Sequence, residues 1–460
     1  MFMSPGSDIL AGRRVLVIGF GRQGQALARW LPTVGATPIV TDMRSAEEMG
    51  VDLRDFPRAR FVLGEHPSSL LNHADMVCVS GGVSLEMPLV LEAMQKQIPI
   101  TNDAQLFMER CAAPIIGITG SAGKTTTTSL VGSIMKRAGL TTWIGGNIGN
   151  VLLDVVMGIQ PTHQVVMELS SFQLELMFSS PQIAAVLNVT PNHLDRHKTM
   201  ENYLRAKSHL IAFQNSGGVA VLGRDDPGSR SLETIAKGEI AWFSRREMVP
   251  DGAFMAGDRL VVTGISSPDG APHIICEESD IPLRGEHNVY NVLAACAIAG
   301  AAGIPPEIMT ETITDFKPVP HRLETVRILE GITYVNDSIA TAPERVLAAL
   351  RSYTEPLVLL AGGADKKLPW GEMIALALTK CRHIVAFGRD GDIVVDTVRQ
   401  LTGTTGAVTR VQTLDEAVAE AVKVAKSGDV VLLSPGGTSY DAYQDFVARG
   451  EHFRQLVMGL

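Results

Sequence analysis

Residues Gly117 to Thr128 have the composition of a loop that binds a nucleoside triphosphate. The apolar run Pro114-Ile115-Ile116 leads into Gly117-Ile-Thr-Gly-Ser-Ala-Gly-Lys-Thr-Thr-Thr-Thr128. We expect a strand, a turn of small residues and then a helix whose first N–H groups point at phosphate oxygens. Lys124 then supplies a positive charge near the β- and γ-phosphates, and the Thr125 hydroxyl binds Mg²⁺. The common form of this loop has Gly at the position of Ile118, so the chain carries a variant form.

Further along the chain, three side chains are candidates for the same site. Glu168 ends the apolar run that begins at Val165, and a carboxylate at a strand end is placed to reach a metal on the nucleotide. His193 lies in a polar cluster after another apolar run, but Mg²⁺ prefers oxygen ligands, so composition alone favours a structural role. Lys207 lies in a helical pattern, where a lysine is ordinarily solvated.

A second glycine-rich stretch near the start of the chain predicts another phosphate-binding turn. The pattern Gly19-x-Gly21-x-x-Gly24 follows the apolar run Arg14 to Ile18, and Asp42 ends the next apolar run. This arrangement matches a dinucleotide fingerprint and raises the alternative of a nicotinamide-dependent dehydrogenase. The fingerprint itself indicates a binding site for a pyrophosphate at a helix N-terminus. Both UDP and NAD contain a pyrophosphate.

Length, charge and cysteine content limit the classes of protein. A chain of 460 residues suggests two to four domains, and three is our working number. The net charge of −9 and the lack of a Lys/Arg run argue against a nucleic-acid partner. The five cysteines are scattered without C-x-x-C spacing, so they indicate neither a disulfide framework nor a zinc site. The first residues do not resemble a signal peptide and no apolar run is long enough to span a membrane, so we expect a cytoplasmic protein.

Short β-branched runs alternate with Ala/Leu-rich helical stretches, which predicts the α/β class. We expect a Rossmann-like domain over residues 1–106, a central P-loop ATPase-like domain with a parallel sheet over 107–316, and a Rossmann-like domain over 317–460. A β-rich insertion is predicted around residues 240–285, and the prolines of Asp315 to Pro320 favour an interdomain connector. Predicted strands lie near residues 14–18, 37–42, 76–80, 98–102, 165–169, 184–189, 334–336, 357–360, 383–387 and 430–433, and an Ala-rich helix is predicted near 291–302. Residues 104–110 lead toward the phosphate loop.

Taken in order, these stretches resemble the Mur ligase family, the ATP-dependent amide-forming enzymes of peptidoglycan precursor synthesis. The resemblance covers nearly the whole chain. It rests on Thr119-Gly-Ser-Ala-Gly-Lys-Thr125, Gly145-Gly-Asn-Ile-Gly149, Glu168-Leu-Ser-Ser-Phe-Gln-Leu174, Asn188-Val-Thr-Pro-Asn-His193-Leu-Asp-Arg196, Tyr203 to Lys207, Gly285-Glu-His-Asn288-Val-Tyr-Asn291, His321-Arg322 and Asn336-Asp-Ser338. The third and fourth of these and the short first domain look most like the members that add glutamate to UDP-N-acetylmuramoyl-L-alanine.

The resemblance implies a reaction in which ATP phosphorylates the carboxylate of UDP-N-acetylmuramoyl-L-alanine. The amine of glutamate then attacks the acyl phosphate and releases phosphate. The implied cofactors are two Mg²⁺ ions, with ATP as co-substrate and a carbamate on Lys207. We expect a monomer that serves cell-wall synthesis and, through it, cell shape and division.

The resemblance also implies a role for each matching residue. Lys124, His193 and Lys207 are the expected catalytic residues; Thr125, Glu168, His193 and Lys207 are expected around the metal ions. The expected ATP contacts are Gly120, Ser121, Ala122, Gly123, Lys124, Thr125, Thr126, Asn288, Asn291, Arg322 and Asp337. The expected contacts of the UDP substrate are Gly19, Phe20, Gly21, Arg44, Ser80, Gly81, Gly82 and Asn147. Those of glutamate are Thr341, Lys366, Ser439 and Phe446.

The chain departs from the family pattern beside the expected glutamate site. Ile339 and Ala342 stand where a lysine and an asparagine are usual, and Asn192 stands where an acidic residue commonly precedes the histidine. These changes leave open a relative that adds L-glutamate or another amino acid. A phosphate-loop switch that hydrolyses nucleotide slowly is a further alternative, although it gives Lys366 and Ser439 no purpose.

Overall fold

The computed structural model of the chain describes residues 8–147, 149, 151–317 and 320–460, without the side chain of Asp195. Strands and helices alternate through these residues, and the strands form three sheets. Pro318 of the predicted connector lies outside the described residues, as does Ile148 of the Gly145 to Gly149 stretch. None of the helices in the described ranges combines the length and the apolar character that a membrane span requires.

The first sheet is parallel and has the strand order β3-β2-β1-β4-β5. The apolar strand β1 lies at its centre and is buried except for its first residue, as expected for a strand covered on both faces. Its strands are β1 (Arg14–Ile18), β2 (Thr37–Asp42), β3 (Arg60–Leu63), β4 (Met76–Val79) and β5 (Ile100–Thr101), with helices α1 (Arg22–Trp30), α2 (Ala46–Met49), α3 (Pro88–Gln95) and α4 (Asp103–Arg110).

The second sheet carries the phosphate loop. In chain order its strands are β6 (Ile115–Thr119), β7 (Thr142–Gly146), β8 (Gln164–Glu168), β9 (Ile183–Val186), β10 (Val219–Gly223), β11 (Glu239–Ser244), β12 (Gly252–Ala256), β13 (Arg259–Gly264) and β14 (Gly270–Glu277). Its helices are α5 (Lys124–Arg137), α6 (Ser171–Leu174), α7 (Leu194–His197), α8 (Met200–Ala212), α9 (Pro227–Ser231), α10 (Glu286–Ala301) and α11 (Pro306–Thr314). The order is β14-β13-β12-β11-β10-β9-β6-β8-β7. The strands pair in parallel from β7 to β12, and β13 and β14 add an antiparallel edge, which accounts for the predicted β-rich insertion.

The third sheet has the order β15-β16-β20-β17-β18-β19. It is parallel except for β15, which pairs antiparallel with β16. Its strands are β15 (Glu324–Leu329), β16 (Ile332–Asn336), β17 (Leu357–Gly362), β18 (Cys381–Phe387), β19 (Val408–Arg410) and β20 (Val430–Gly436). Its helices are α12 (Pro343–Arg351), α13 (Gly371–Lys380), α14 (Asp392–Thr402), α15 (Leu414–Val424) and α16 (Phe446–Met458).

Contacts divide the described chain into two compact units. Residues up to Ile281 and Val289–Asp315 form the first, and Pro282–Asn288 with Phe316–Leu460 form the second. The first unit holds two sheets because they share one apolar core, which includes Val15 of β1 and Val165 of β8. Polar bonds reinforce this junction: Asn102 Nδ2 donates to Gln173 O at 2.7 Å.

The predicted α/β class and its three sheets are confirmed, whereas the domain boundaries after residues 106 and 316 stay predictions. Differences concentrate at element ends. The predicted helix at Asn291 begins at Glu286, because its polar first turn hides the start. Strands β3, β7, β10, β15 and β19 escaped prediction. Of these, β3, β15 and β19 are short or lack fully buried runs.

Candidate active site

The phosphate loop joins β6 to α5 and is shaped by glycine. Gly123 precedes α5 with φ +83, a left-handed conformation that favours glycine. A Cβ on Gly123 would lie 2.2 Å from Asn291 Oδ1, so α10 packs directly on the loop. Lys124 Nζ donates to Gly120 O at 2.9 Å and lies 3.4 Å from Ser121 O. The predicted lysine therefore folds over the loop whose phosphates it is expected to meet.

The segment after β9 holds this loop in place. Ser121 N donates to Asn188 O at 3.0 Å, and Ala122 N donates to Asn188 Oδ1 at 2.9 Å. Ser121 Oγ donates to Thr190 O at 2.9 Å. The loop is thus preorganised by neighbours from the same sheet, which lowers the ordering cost of binding a nucleotide.

Glu168 joins the predicted metal residues to the predicted substrate residue. Its side chain is buried; Oε2 accepts from Thr125 Oγ1 at 3.0 Å and Oε1 accepts from Asn147 Nδ2 at 2.9 Å. The backbone at Gly146 lies close to the backbone of Glu168, and only glycine fits there, because a Cβ on Gly146 would lie 2.3 Å from Glu168 O. A buried carboxylate and a hydroxyl are hard oxygen donors, so this pair fits Mg²⁺.

Lys207 lies beneath the phosphate loop. It is 1% exposed, and its Nζ donates to Gly120 O at 2.9 Å and to Thr119 Oγ1 at 3.3 Å. Burial and then the charge of Lys124 hold the pKa of Lys207 well below its usual range, against the opposing charge of Glu168. The solvated position that its helical pattern favours is therefore wrong. Burial is set by the packing of α8 on the sheet, which one lysine in a helical pattern does not reveal.

His193 lies at the surface at the start of α7. Its backbone has φ +54, and its ring meets the ring of Phe172 edge-on with centroids 5.1 Å apart. Within the described part of the chain, no group of three or more His, Cys, Asp or Glu side chains is arranged to hold a metal ion. The role of His193 at a second metal ion stays a prediction.

A cavity of about 450 Å³ lies beside the glycine turn of the first sheet and contains most of the predicted UDP residues. Its lining residues are Gly19, Gly21, Arg22, Gln23, Asp42, Arg44, Ser80, Gly81, Gly82, Val83, Gly146, Asn147, Val151, Ser170 and Phe172. The turn is tight, because a Cβ on Gly24 would lie 2.0 Å from Gly19 O. Ser80 Oγ donates to Gly19 O at 2.9 Å and ties the two glycine loops together.

Asp42, the acidic residue of the fingerprint, is engaged within the protein. Arg44 Nε and Nη2 each donate to its carboxylate at 3.0 Å, and Phe20 N donates to it at 2.8 Å. Burial opposes ionisation, but these hydrogen bonds outweigh it and lower the pKa of Asp42 to about 2. Because the carboxylate already accepts these bonds, it is poorly placed to hold the ribose of a dinucleotide, which disfavours the dehydrogenase alternative.

The ring of Phe20 packs into the core instead of the cavity. It meets Phe56 and Phe61 with ring centroids 5.0 and 5.2 Å away. Gln23, Val83 and Phe172 are lining residues that sequence reasoning missed. Gln23 Oε1 accepts from Gly81 N at 2.9 Å, and a polar residue inside the fingerprint was the available signal.

In the second unit, Asp337 lies buried at the end of β16, where the sequence predicts an ATP contact. Its carboxylate accepts from Ser434 Oγ at 2.8 Å and from Leu323 N at 3.2 Å. Burial raises the pKa of Asp337 to about 7, against these bonds and the nearby charge of Arg322. In the same unit Asn288 Nδ2 donates to Arg284 O at 2.7 Å.

Two of the predicted glutamate residues are in direct contact. Lys366 Nζ donates to Thr341 Oγ1 at 3.2 Å, and burial followed by the charges of Arg345 and Arg449 lowers the pKa of Lys366. Ser439 is buried, and Phe446 begins α16, where its carbonyl accepts from Ser338 Oγ at 2.8 Å.

Sequence reasoning missed Arg449, which lies in the same region. It is buried and donates to Ser338 O at 2.9 Å and to Thr438 O at 3.1 Å. Burial lowers its pKa to about 10. An arginine in a helical pattern carries no signal that separates a buried position from a solvated one.

Fold and site together define a phosphate-loop nucleotide-binding protein of the α/β class. Three family models match the chain: the Mur ligase MurD-like N-terminal domain over residues 13–102, the Mur ligase middle domain over 118–299 and the Mur ligase glutamate ligase domain over 321–437. The chain therefore belongs to the Mur ligase family.

Similar proteins match over almost the whole length. The chain is 40% identical over 451 residues to UDP-N-acetylmuramoylalanine--D-glutamate ligase of Symbiobacterium thermophilum, covering 97% of this chain and 98% of that protein. It is 38% identical to the protein of the same name from Pelotomaculum thermopropionicum, with the same coverage of both. The structure of UDP-N-acetylmuramate-alanine ligase MurC from Thermotoga maritima is similar in fold, with a TM-score of 0.61 at 18% identity, over 97% of this chain and 99% of that one.

Proposed function

We propose that the chain is an ATP-dependent ligase that joins D-glutamate to UDP-N-acetylmuramoyl-L-alanine. One observation carries this proposal: Asn147 lines the cavity of the first unit and bonds Glu168, which also bonds Thr125 of the phosphate loop. A substrate whose nucleotide lies beside Gly19 would thus extend toward Asn147 and present its carboxylate near the γ-phosphate of ATP. Ligation needs this meeting of a carboxylate with a phosphoryl donor.

The chemical problem is the crowding of anionic oxygens around one carbonyl. Preorganised positive charge and N–H donors stabilise such a transition state. In the proposed reaction Lys124 moves its ammonium from the loop carbonyls to the transferring phosphoryl group. Gly120, Ser121, Ala122, Gly123 and Thr126 surround the phosphates with the backbone of the loop and the first turn of α5.

Thr125 and Glu168 would hold one Mg²⁺, and His193 with a modified Lys207 the second. When bound, these ions neutralise charge on the phosphates and on the carboxylate. We propose that Lys207 accepts CO₂: its neutral amine bonds to the carbon and loses a proton, which leaves a carbamate. The lowered pKa of Lys207 supports this, since it increases the fraction of neutral amine.

We predict that Lys207→Ala lowers turnover at least about a hundredfold, because it removes an expected metal ligand, and that added acetate restores part of it. Phosphate release with and without acetate measures this. Lys124→Ala is the matched control, since a carboxylate cannot replace its positive charge. Equal rescue of both variants, or of neither, would count against the carbamate.

For the second unit we propose that Asn288, Arg322 and Asp337 contribute to ATP binding, and for the first unit we propose the same of Asn291. Glutamate would bind beside Lys366 and Thr341, with Ser439 and Phe446. The bond between Lys366 and Thr341 supports this, since an ammonium beside a hydroxyl suits a carboxylate ligand. In this proposal residues 1–106 bind UDP, 107–316 bind ATP, and 317–460 bind glutamate.

The names of the similar proteins favour D-glutamate, whereas Ile339 and Ala342 keep the L-enantiomer as the alternative. We also propose that the chain acts in the cytoplasm as a monomer, where its ATP and nucleotide-linked substrates would be found. Analytical ultracentrifugation tests the monomer; a dimer at micromolar concentration would overturn that part alone.

The deciding experiment measures phosphate release with ATP, UDP-N-acetylmuramoyl-L-alanine and either D- or L-glutamate. We expect release only when all three substrates are present and only with the D-enantiomer. Release with L-glutamate alone would favour the alternative ligase. Hydrolysis that ignores both the nucleotide substrate and glutamate would instead indicate a phosphate-loop switch.

A further inference from the structure

The loop after β4 borders the cavity, and one backbone hydrogen bond of its own closes it as a turn. Ser80, Gly81, Gly82 and Val83 all line the cavity, and two of the four are glycines, whose ordering costs the most backbone entropy. From the first sheet, Ser80 Oγ bonds Gly19 O and Gln23 bonds Gly81 N. Within the loop, Val83 N donates to Ser80 O at 2.9 Å. These bonds leave the carbonyls of Gly81 and Val83 to another partner.

That partner is Arg196, which the second sheet supplies at the end of α7. Its Nη1 donates to Gly81 O at 3.2 Å, and its Nη2 donates to Val83 O. One guanidinium thus holds two carbonyls that flank Gly82. Hydrogen bonds from a charged guanidinium to carbonyl oxygens are stronger than those from a neutral donor. These two contacts therefore fix the path of the loop.

The same guanidinium also packs against Phe172, a lining residue that belongs to the second sheet's part of the first unit. Its Cζ lies 3.9 Å from the centroid of the Phe172 ring, a distance at which cation–π attraction is effective. Phe172 lines the cavity, and the ring of His197 stacks on it with centroids 5.3 Å apart. Arg196 therefore connects two walls of the cavity, one from each sheet of the first unit.

We infer that Arg196 is a positioning residue for the nucleotide part of the substrate, and this inference rests on the proposed function. Arg196 lies behind the wall, where it lines a neighbouring cavity of about 310 Å³, so it acts through the Gly81 to Val83 carbonyls and the Phe172 ring. Its position three residues after His193 places it on the segment that approaches the phosphate loop. The side chain thereby fixes the nucleotide end of the cavity relative to its reactive end.

Arginine is required for this geometry. A planar guanidinium offers diverging donors to two carbonyls while its face stacks on a ring, whereas a lysine ammonium is a point charge without a stacking face. Charge alone is therefore insufficient, and Arg196→Lys should lose most of what Arg196→Ala loses.

The test is calorimetric titration of UDP-N-acetylmuramoyl-L-alanine and, separately, of ATP into Arg196→Ala and Arg196→Lys. We expect Kd for the UDP compound to rise at least about tenfold in both variants, with Kd for ATP within about twofold of the unsubstituted protein. In phosphate-release assays, KM for the UDP compound should rise while kcat at saturation changes by less than about twofold.

Lys198→Ala is the matched control. Lys198 pairs with Glu86 at 3.4 Å near the same loop, and both side chains are exposed, so its removal changes local charge without releasing the Gly81 and Val83 carbonyls. Its Kd values should stay within about twofold.

Unchanged binding of the UDP compound by folded Arg196 variants would overturn the inference. A parallel loss of affinity for both ligands together with a lower Tm would overturn it too, since that marks a general structural role. Should Arg196→Ala fail to fold, Arg196→Lys decides the question. An unsubstituted chain that binds the UDP compound but forms no amide contradicts the proposed reaction alone, whereas one that does not bind it contradicts both proposals.

Discussion

At the scale of single residues, the site depends on charges held in low-dielectric surroundings. Glu168, Lys207 and Asp337 are almost fully buried, and each has hydrogen-bond partners within the protein. The sequence identifies their types and their order along the chain, and the family pattern supplies their expected roles. Burial itself came only from the fold, which is why Lys207 was misread from composition.

Lys124 carries a prediction at this scale. Lys124→Ala should lower kcat at least about a hundredfold, because it removes the positive charge expected at the transferring phosphoryl group. The measurement is phosphate release at saturating substrates, with circular dichroism to verify folding. Lys136→Ala, an exposed change in the last turn of the same helix, should leave kcat unaltered. Near-normal turnover of a folded Lys124→Ala protein would contradict the role.

Asp337 carries a prediction about pH. With its pKa raised to about 7, the folded chain keeps between about pH 4 and about pH 7 a proton that the unfolded chain has released. This contribution to the free energy of unfolding therefore falls as pH rises through that window, by up to about 1.4 kcal/mol per unit. In Asp337→Asn the free energy of unfolding should therefore change less with pH in this window. Urea unfolding at several pH values in the absence of ATP measures it.

The control for Asp337 is Asp429, another buried carboxylate of the second unit. Burial raises its pKa, but the bonds from Arg382 and the backbone outweigh that effect and lower it. Its contribution is therefore lost only as the solution becomes acidic, below about pH 4. Asp429→Asn should leave the slope between pH 5 and pH 7 as it is. An unchanged slope in Asp337→Asn would show that Asp337 is ionised throughout.

At the scale of elements, the strand ends position the site. The phosphate loop follows β6, Glu168 ends β8 and the segment with His193 follows β9, and these strands are neighbours in the sheet. Parallel strands end at the same edge of a sheet. The order of strands and polar residues in the sequence was therefore enough to predict that the phosphate loop, Glu168 and the His193 segment lie at one edge. The resemblance implied that Asn291 of α10 meets ATP, whereas the direct packing of α10 on Gly123 depends on tertiary contact and not on local pattern.

Glycine substitutions test this packing. Gly123→Ala should weaken ATP binding by more than about tenfold, because a Cβ there meets Asn291 at 2.2 Å in addition to the strain of φ +83. Gly139→Ala has φ +84 with no atom within 4 Å, so it has the same backbone strain without the collision. Gly139 lies beyond the other end of α5, so its substitution should leave the calorimetric Kd for ATP unchanged. An unchanged Kd in Gly123→Ala would show that contact with α10 does not control the loop.

At the scale of the whole molecule, sequence predicted three sheets but not how contacts group them. The first and second sheets share a core, so their boundary is not a break in packing, and Pro282–Asn288 belongs with the third sheet although α10 continues into the first unit. Such grouping arises from apolar contacts between residues far apart in the chain. A linear pattern of strands and helices does not record those contacts.

The two units should unfold separately, and the positions of the tryptophans allow a direct measurement. Trp30, Trp143 and Trp242 lie in the first unit, whereas Trp370, buried and bonded to Asp365 at 2.9 Å, lies in the second. Urea unfolding followed by fluorescence should show two phases, and Trp370→Phe should remove one of them. UDP should raise the midpoint of the remaining phase, because it stabilises only the unit that contains the cavity. A single transition in both the unsubstituted chain and Trp370→Phe, with a midpoint that UDP raises, would mean that the two units unfold together.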